Sequence, residues 1–279
     1  MANWLITGVS SGLGTELARA ALAANPKDIV CGTVRSEADK ARFEAIDPSR
    51  AKGFIVDIRD EEAVREAVAK VEAAVGSIDR LINNAAFGMT GALEETSLAE
   101  ARAMFDVNLF GTAAMIQAVL PGMRARRDGW IVNITSMSGH APWWGTSWYG
   151  ATKYALECLG QALAQEVRHL GIRVMNAAPG GMRTDFAGRS LAEAALRIDD
   201  YEPSAHEAKR TLASSQGREK GDPVLAAQAI VAAVGRPDAP MVLFLGEDAV
   251  RHVRESWEEI RADMDKWEET ALSITRPVD

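Results

Sequence analysis

The sequence predicts an α/β protein: a doubly wound parallel sheet of seven strands, flanked by helices, in a single domain. Three observations lead there. A glycine-rich run, T-G-V-S-S-G-L-G at residues 7–14, stands between a short apolar segment and a helical one. Short Val- and Ile-rich runs then alternate with helical patterns along most of the chain, the pattern of strands joined by helical crossovers. No repeat, low-complexity stretch or interdomain linker interrupts the 279 residues.

The strands are expected at 4–7, 29–33, 53–57, 80–83, 130–135, 172–178 and 241–245. They are short and mostly not alternating, as strands covered on both faces are. Helices are expected near 13–24, 60–76, 98–122, 147–170 and 224–235, the third opened by a capping box of Ser97 and Glu100. Residues 186–223 break the rhythm, with no convincing strand and many charged and small residues. They follow Pro179-Gly180-Gly181 at the sheet edge where ligands bind, and read as a lid over a substrate site or as a surface insertion. The charged, amphipathic tail at 247–279 carries Trp257 and Trp267 as packing residues and is expected to dock on the domain or on a neighbouring subunit.

Composition narrows the function. The chain is 47% hydrophobic and 25% charged, ordinary for a globular protein, and its net charge of -8 speaks against a nucleic-acid partner. Residues 1–4 lead directly into a strand, leaving no room for a secretory leader, and no run of about 18 apolar residues is expected to span a membrane. The two cysteines, Cys31 and Cys158, point to a reducing compartment rather than a disulfide framework, hence a cytoplasmic expectation. The four histidines show no ligand spacing, so no metal site is expected.

A strand, a glycine-rich turn and a helix start together make an anion site, because backbone N–H groups and the positive end of the helix dipole converge there. Gly8, Gly12 and Gly14 permit the tight turn and the close approach of a pyrophosphate. The second chemical signal is Tyr149-Gly150-Ala151-Thr152-Lys153. Residues i and i+4 share one helix face, and an ammonium near a phenol is expected to lower its pKa and suit it to proton transfer with an alcohol oxygen. Ser136, closing the strand at 130–135, would point its hydroxyl into the ligand crevice, with Ser138 as the local competitor.

Taken in order, these motifs resemble the short-chain dehydrogenase/reductase family. The matching residues are 7–14, Asp57 closing the third strand, Asn83-Asn84-Ala85, Asn108 in Val107-Asn108-Leu109-Phe110-Gly111, Ser136, Tyr149 with Lys153, and Pro179-Gly180 with Thr184. The resemblance is close over residues 3–186 and implies a Rossmann-type fold and a nicotinamide cofactor. By that resemblance Tyr149 is the general acid or base. Lys153 holds the nicotinamide ribose and depresses the phenol pKa, and Ser136 polarises the carbonyl. Its thirteen-residue offset from Tyr149 favours it over Ser138. Asn108 would bend its helix and hold a water relaying protons to Lys153. The implied cofactor site comprises Thr7, Gly8, Ser10, Ser11, Gly12, Leu13 and Gly14 on the turn. Asp57 would meet the adenine amino group, with Ile58 beside it, and Asn84, Ala85 and Ala86 would line the adenosine half. Pro179, Gly180, Met182 and Thr184 would lie near the nicotinamide, Thr184 on its carboxamide. Ala86 stands where the family often has glycine, and an added methyl there leaves binding intact. Assembly as a homodimer or homotetramer through the helices bearing Asn108 and Tyr149 is also implied.

The end of the second strand selects the cofactor form. An acidic residue there would bond the ribose 2′-OH of NAD, and a basic one would neutralise the 2′-phosphate of NADP. The chain reads Gly32-Thr33-Val34-Arg35-Ser36, with no acid before Arg35, so NADP(H) is favoured, with Arg35 as the guanidinium fork and Ser36 as an added hydroxyl. Ser11 stands where many NADP users carry a second basic residue, and a helix-start role accounts for Ser36 and Glu37 without the cofactor. Ser138, His140, Trp143, Trp144 and Phe186 are the candidate substrate residues, the tryptophans suggesting an apolar or aromatic small-molecule face or, equally, a packing contact. The expected reaction is reversible hydride transfer between nicotinamide and a carbonyl or alcohol carbon. A non-catalytic dinucleotide sensor is the rival reading, disfavoured because Asn108, Ser136, Tyr149 and Lys153 are all present; an epimerase or dehydratase would need a substrate domain not evident here.

Overall fold

The computed structural model describes residues 1–184, 186 and 190–276. Its centre is a sheet of seven parallel strands in the order β3-β2-β1-β4-β6-β7-β9: β1 (Asn3–Ile6), β2 (Ile29–Val34), β3 (Ala51–Ile55), β4 (Arg80–Asn83), β6 (Gly129–Ile134), β7 (Ile172–Pro179) and β9 (Val242–Leu245). The chain runs outward from β1 to β3, then crosses back to β4 and continues the other way. The switch between β1 and β4 opens a crevice beyond their carboxyl ends, where ligands of such sheets bind.

Strand pleating divides the core between the two faces. Trp4 and Ile6 of β1 join Val132, Met175, Leu17 and Ile230 on one side, under α1 (Gly12–Ala24) and α8 (Pro223–Ala233). Leu5 joins Leu81, Ile131, Val68 and Val119 on the other, under α3 (Glu61–Val75), α5 (Thr112–Arg126) and α6 (Ser147–Val167). With both faces covered, neither face of β1, β4 and β6 lies open to solvent, which is why they do not alternate.

Helix starts follow their caps. Asp60 accepts from Glu62 and Ala63 at α3, and Asp222 accepts from Val224 and Leu225 at α8, which has Pro223 in its first turn. Ser97 and Glu100 form the expected capping box of α4 (Leu98–Phe105). The helix expected at 98–122 is not continuous: a π turn, Asp106–Gly111, separates α4 from α5 and carries Asn108.

Four features correct the sequence reading. A helix, α2 (Glu37–Glu44), follows β2; it buries only Phe43, too little to print a helical apolar stripe. A two-stranded parallel sheet pairs β5 (Gly88–Thr90) with β8 (Leu191–Glu193), so residues 186–223 do contain a strand. Three residues are too few to show a period, and β8 exists because β5 supplies its ladder. That segment also holds α7 (Glu207–Ser215). Finally, the stretch Leu98–Arg126 is long and apolar enough to cross a membrane by length and composition, contrary to expectation, although Met115, Ile116, Val119 and Met123 on it belong to the sheet core.

A polar seam crosses this apolar interior. Asn83, Asn133 and Asn176 lie in register on β4, β6 and β7. The Asn83 amide donates to Asn133 at 3.0 Å, and that of Asn133 to Asn176 at 3.1 Å. Asn176 in turn donates to the backbone carbonyl and carboxylate of Glu157 on α6, at 2.9 and 2.8 Å. Buried amides persist only when bonded in this way.

Candidate active site

The glycine-rich turn is shaped by backbone demands that only glycine meets at two points. Gly8 and Gly12 have φ of 70° and 56°, and a Cβ on Gly14 would sit 2.2 Å from the Gly8 carbonyl oxygen. Thr7 and Asn84 lock the turn. The Thr7 hydroxyl accepts from the backbone N–H groups of Asn84 and Ala85, both at 2.9 Å, and the Asn84 amide donates to the carbonyls of Thr7 (2.9 Å) and Gly8 (3.1 Å). The Asn84 side chain, expected to line an adenosine, is therefore spent on holding the turn. Ser10, Ser11, Leu13, Ala85 and Ala86 are all partly exposed around it. The first-turn N–H groups of α1 and the space left by glycine make a cradle that fits a pyrophosphate.

Arg35 is exposed immediately after β2. Ser36 caps α2: its hydroxyl accepts from the Asp39 N–H at 3.1 Å and donates to the Asp39 carboxylate at 2.8 Å. The helix-start alternative for Ser36 is thus realised. Asp57 does not present a free carboxylate: both oxygens accept from the Arg59 guanidinium at 3.0 Å, and this holds its carboxyl below the usual range, with Arg35 adding to the effect. Ile58 is buried where a Cβ on Gly111 would touch it.

Ser136 follows β6, and its hydroxyl accepts from the Ser138 N–H at 3.1 Å. Tyr149 stands in the first turn of α6 within hydrogen-bond reach of Ser136. Burial pushes the Tyr149 phenol up to about 12, while the Ser136 hydroxyl pulls the other way. The Lys153 ammonium is buried, lies 5.7 Å from the centre of the phenol ring, and donates to the Ile134 carbonyl at 2.9 Å. Burial lowers Lys153 to about 8. The expectation that this cation depresses the phenol is therefore corrected: its charge is aimed at a backbone carbonyl, and desolvation governs both groups.

Asn108 accepts from the Phe87 N–H at 3.0 Å, donates to the Phe87 carbonyl at 2.8 Å and donates to the Thr152 hydroxyl at 3.1 Å. The π turn thus buckles Asn108 out to tie the β4–β5 loop to α6, beside Lys153. The geometry makes it a positioning residue; the expected water relay would have to share its carbonyl oxygen with Phe87.

On the far flank, Thr184 and Phe186 close over the site. A Cβ on Gly12 would lie 3.5 Å from Thr184, and the Phe186 ring packs against Tyr149 with centroids 5.8 Å apart. Met182 bridges to Gly221, and Pro179 ends β7. Asp248, which the sequence reading missed, holds this stretch in place. It lies in the first turn of α9 (Glu247–Leu272) and accepts from the Gly181 N–H at 2.7 Å, where a Cβ on Gly180 would collide with its carboxylate. A single aspartate at a charged helix start carries no signal in the sequence.

The substrate candidates divide. Phe186 adjoins Tyr149, Ser138 sits beside Ser136, and the Trp143 and Trp144 rings are tilted against each other with centroids 6.2 Å apart, Trp144 59% exposed. His140 is a correction. It is buried, with Nε2 3.2 Å from the Glu157 carboxylate and its ring edge-on to Phe244 and Trp257. It faces α6, β9 and α9 instead of the crevice, because Glu157 offers it a partner and the two rings a packing site. Burial pushes the Glu157 carboxyl up, but bonds from His140, Asn176 and Gln161 together hold it below its usual value.

Residues 190–215 pack beside the end of the tryptophan loop. A Cβ on Gly145 would meet the Ala205 carbonyl, and Tyr201 donates to Glu94 at 2.7 Å. The clasp is His206, buried between two carboxylates: Nε2 to Glu95 at 2.6 Å and Nδ1 to Glu202 at 3.0 Å. Glu95 also accepts from the Ile198 and Ala92 N–H groups, and Glu202 is shared with Arg197 and Arg210. Both His206 nitrogens donate best as the imidazolium, and Glu95 and then Glu202 raise its pKa above 6.5 against burial and the opposing charge of Arg197. Because the folded value is raised, the clasp contributes fully below the ordinary histidine value and is lost as pH rises through the raised one. Hydrogen exchange across residues 190–215, corrected for intrinsic rates, is expected to be slower at pH 6 than at pH 9, and His206→Gln should abolish the difference. Equal protection of the parent at both values would dismiss the clasp.

Among the described residues no group of three or more His, Cys, Asp or Glu side chains could hold a metal, and both cysteines are free, Cys31 buried and Cys158 exposed.

The sequence matches the short chain dehydrogenase family over residues 2–195. It is 32% identical to Oxidoreductase BOA17 of Botryotinia fuckeliana over 97% of this chain and 98% of that protein. It is 37% identical to Retinol dehydrogenase 8 of Homo sapiens over 69% of this chain and 62% of that protein. A solved short-chain dehydrogenase from Streptomyces avermitilis superposes with a TM-score of 0.91 at 36% identity, covering 99% of this chain and 100% of its own. A solved structure of ElxO with NADP bound superposes with a TM-score of 0.74 at 25% identity, over 90% and 99% of the two chains.

Proposed function

The chain belongs to the short-chain dehydrogenase family, oxidoreductases acting on CH-OH groups, and from that premise we propose that it interconverts a carbonyl and an alcohol with NADP(H), Tyr149 passing the proton. The observation that carries the proposal is the meeting of Ser136, Tyr149 and buried Lys153 beside a glycine cradle at the carboxyl ends of β1 and β6. A nicotinamide dinucleotide, when bound, supplies or accepts the hydride. The rest falls to the protein. In reduction the Ser136 hydroxyl orients the carbonyl oxygen, and the Tyr149 O–H gives it a proton, leaving a phenolate that solvent reprotonates. In oxidation the phenolate takes the alcohol proton. A phenol raised to about 12 is protonated at neutral pH, which suits reduction there and makes oxidation climb with pH. Lys153 would hold the nicotinamide ribose.

The 2′-phosphate assignment rests on Arg35, exposed after β2 with no acid before it, and is supported by the NADP in the ElxO structure. Arg35→Ala should weaken NADPH binding roughly 10- to 100-fold, the worth of about 1.5–3 kcal/mol for charge-assisted hydrogen bonds, while NADH binding stays near the parent's. Fluorescence titration with both cofactors measures it, and an equal loss for both would remove the assignment.

An apolar or aromatic small-molecule substrate is supported by Phe186 against Tyr149 and by the tryptophan pair, and accords with the name of the retinol dehydrogenase relative. The two free cysteines suit a reducing cytoplasm. Assembly through α4 and α6 is supported by exposed Leu98 and Phe110 beside a groove of about 270 Å³. The test of the activity is consumption of NADPH and, in parallel, NADH over a panel of aldehydes, cyclic ketones and steroids. Tight NADPH binding without turnover of any member would instead favour a redox sensor.

A further inference from the structure

Helix α9 leaves the domain early. Ala249 and Val253 are buried, and Trp257 packs against Phe244 and His140 with 49% of its surface still exposed. Beyond it none of the described residues covers the helix: Ile260 is 58% exposed, Met264 66% and Trp267 59%. An uncovered helix of this length is marginal in water and needs a surface to lie on.

The spacing of its apolar residues identifies that surface. Val250, Val253, Trp257, Ile260, Met264, Trp267 and Ala271 recur at alternating intervals of three and four, and Ile274 continues the series past the helix end. This is the core repeat of a two-helix coiled coil. The residues flanking the stripe choose partner and direction. A parallel pair would set Asp263 against Glu268 of the other helix, like against like. An antiparallel pair crossing between residues 265 and 266 sets Arg261 against Glu268 twice and leaves no like charges opposed. In that register Met264 meets Trp267, Ile260 meets the small Ala271, and Trp257 meets Ile274, so every layer is apolar. The helix carries nine acidic against four basic residues, which disfavours an anionic lipid surface.

We infer that α9 docks antiparallel on α9 of a second copy of this chain, with Met264 packed against Trp267 and Arg261 paired with Glu268 across the two-fold axis. The interface is distinct from the α4–α6 face and independent of the proposed reaction. Light scattering on the full chain tests it. Met264→Glu with Trp267→Glu should halve the mass, to half the parent's assembly whether or not a second interface persists. NADPH binding and the circular-dichroism spectrum of the folded chain should stay the same, because both side chains are exposed on the single chain, while the melting temperature falls only by what association contributes. Arg261→Glu alone should shift the population toward the halved mass, and Arg261→Glu with Glu268→Arg should restore it. A parent with the same mass as the Met264/Trp267 variant would overturn the proposal, as would binding of α9 to phosphatidylcholine or phosphatidylglycerol vesicles at unchanged mass. Failure of the charge exchange to restore assembly would overturn the antiparallel pairing.

Discussion

Tyr149→Phe is expected to cut kcat by about 10²- to 10⁴-fold, the range for removing a positioned general acid. NADPH affinity and melting temperature should remain near the parent's. The substitution keeps the ring that packs on Phe186 and deletes only the hydroxyl that Ser136 addresses. It leaves Ser136 bonded to the Ser138 N–H and Lys153 to the Ile134 carbonyl, so the surrounding polar groups stay satisfied. Steady-state kinetics on whichever substrate the panel identifies, with a thermal melt beside it, separates chemistry from folding. Turnover within about threefold of the parent would mean that another group moves the proton.

Gly160→Ala should destabilise the fold by about 3 kcal/mol, lowering the melting temperature by roughly 6–12 °C. The sign is the informative part. Within a helix such as α6, glycine to alanine ordinarily stabilises by up to about 1 kcal/mol. Here the added Cβ would lie 2.1 Å from the Asn176 side-chain oxygen and 2.7 Å from its amide nitrogen. Asn176 would have to leave its place between Asn133 and Glu157, stranding buried amides on two strands. Adding Asn176→Ala should return part of the loss by removing the obstructing atoms, although Asn133 and Glu157 then lose a partner. A rise in melting temperature for Gly160→Ala would show that the seam yields easily and that the bonds from Asn176 to Glu157 do not hold α6 in place.

The sequence exposed what depends on local backbone geometry. Gly8, Gly12 and Gly14 are legible because no side chain can replace them, and Tyr149 and Lys153 because one helical turn sets their distance. The capping box at Ser97 was readable for the same reason. What stayed hidden is made by distant partners. His206 and Glu95 are 111 residues apart, and nothing near either one announces the other. Asn83, Asn133 and Asn176 each look like a lone polar residue in an apolar strand until register aligns them. The β5–β8 pair is too short to show a period, and the place of His140 is set by Glu157, which lies on another element. The phenol and lysine pKa values turned on burial, which composition does not report.

Asp248 ties the order of synthesis to competence. The stretch of matched family sequence ends at residue 195, yet the strand end at Gly180 and Gly181 is pinned by a carboxylate more than fifty residues later. A nascent chain that has not yet released Asp248 can pair β1 to β7 and cap the helices before it but cannot seat that rim. That rim is seated only once the first turn of α9 has formed, and the same helix that pins the crevice exposes Ile260, Met264 and Trp267 to a second copy.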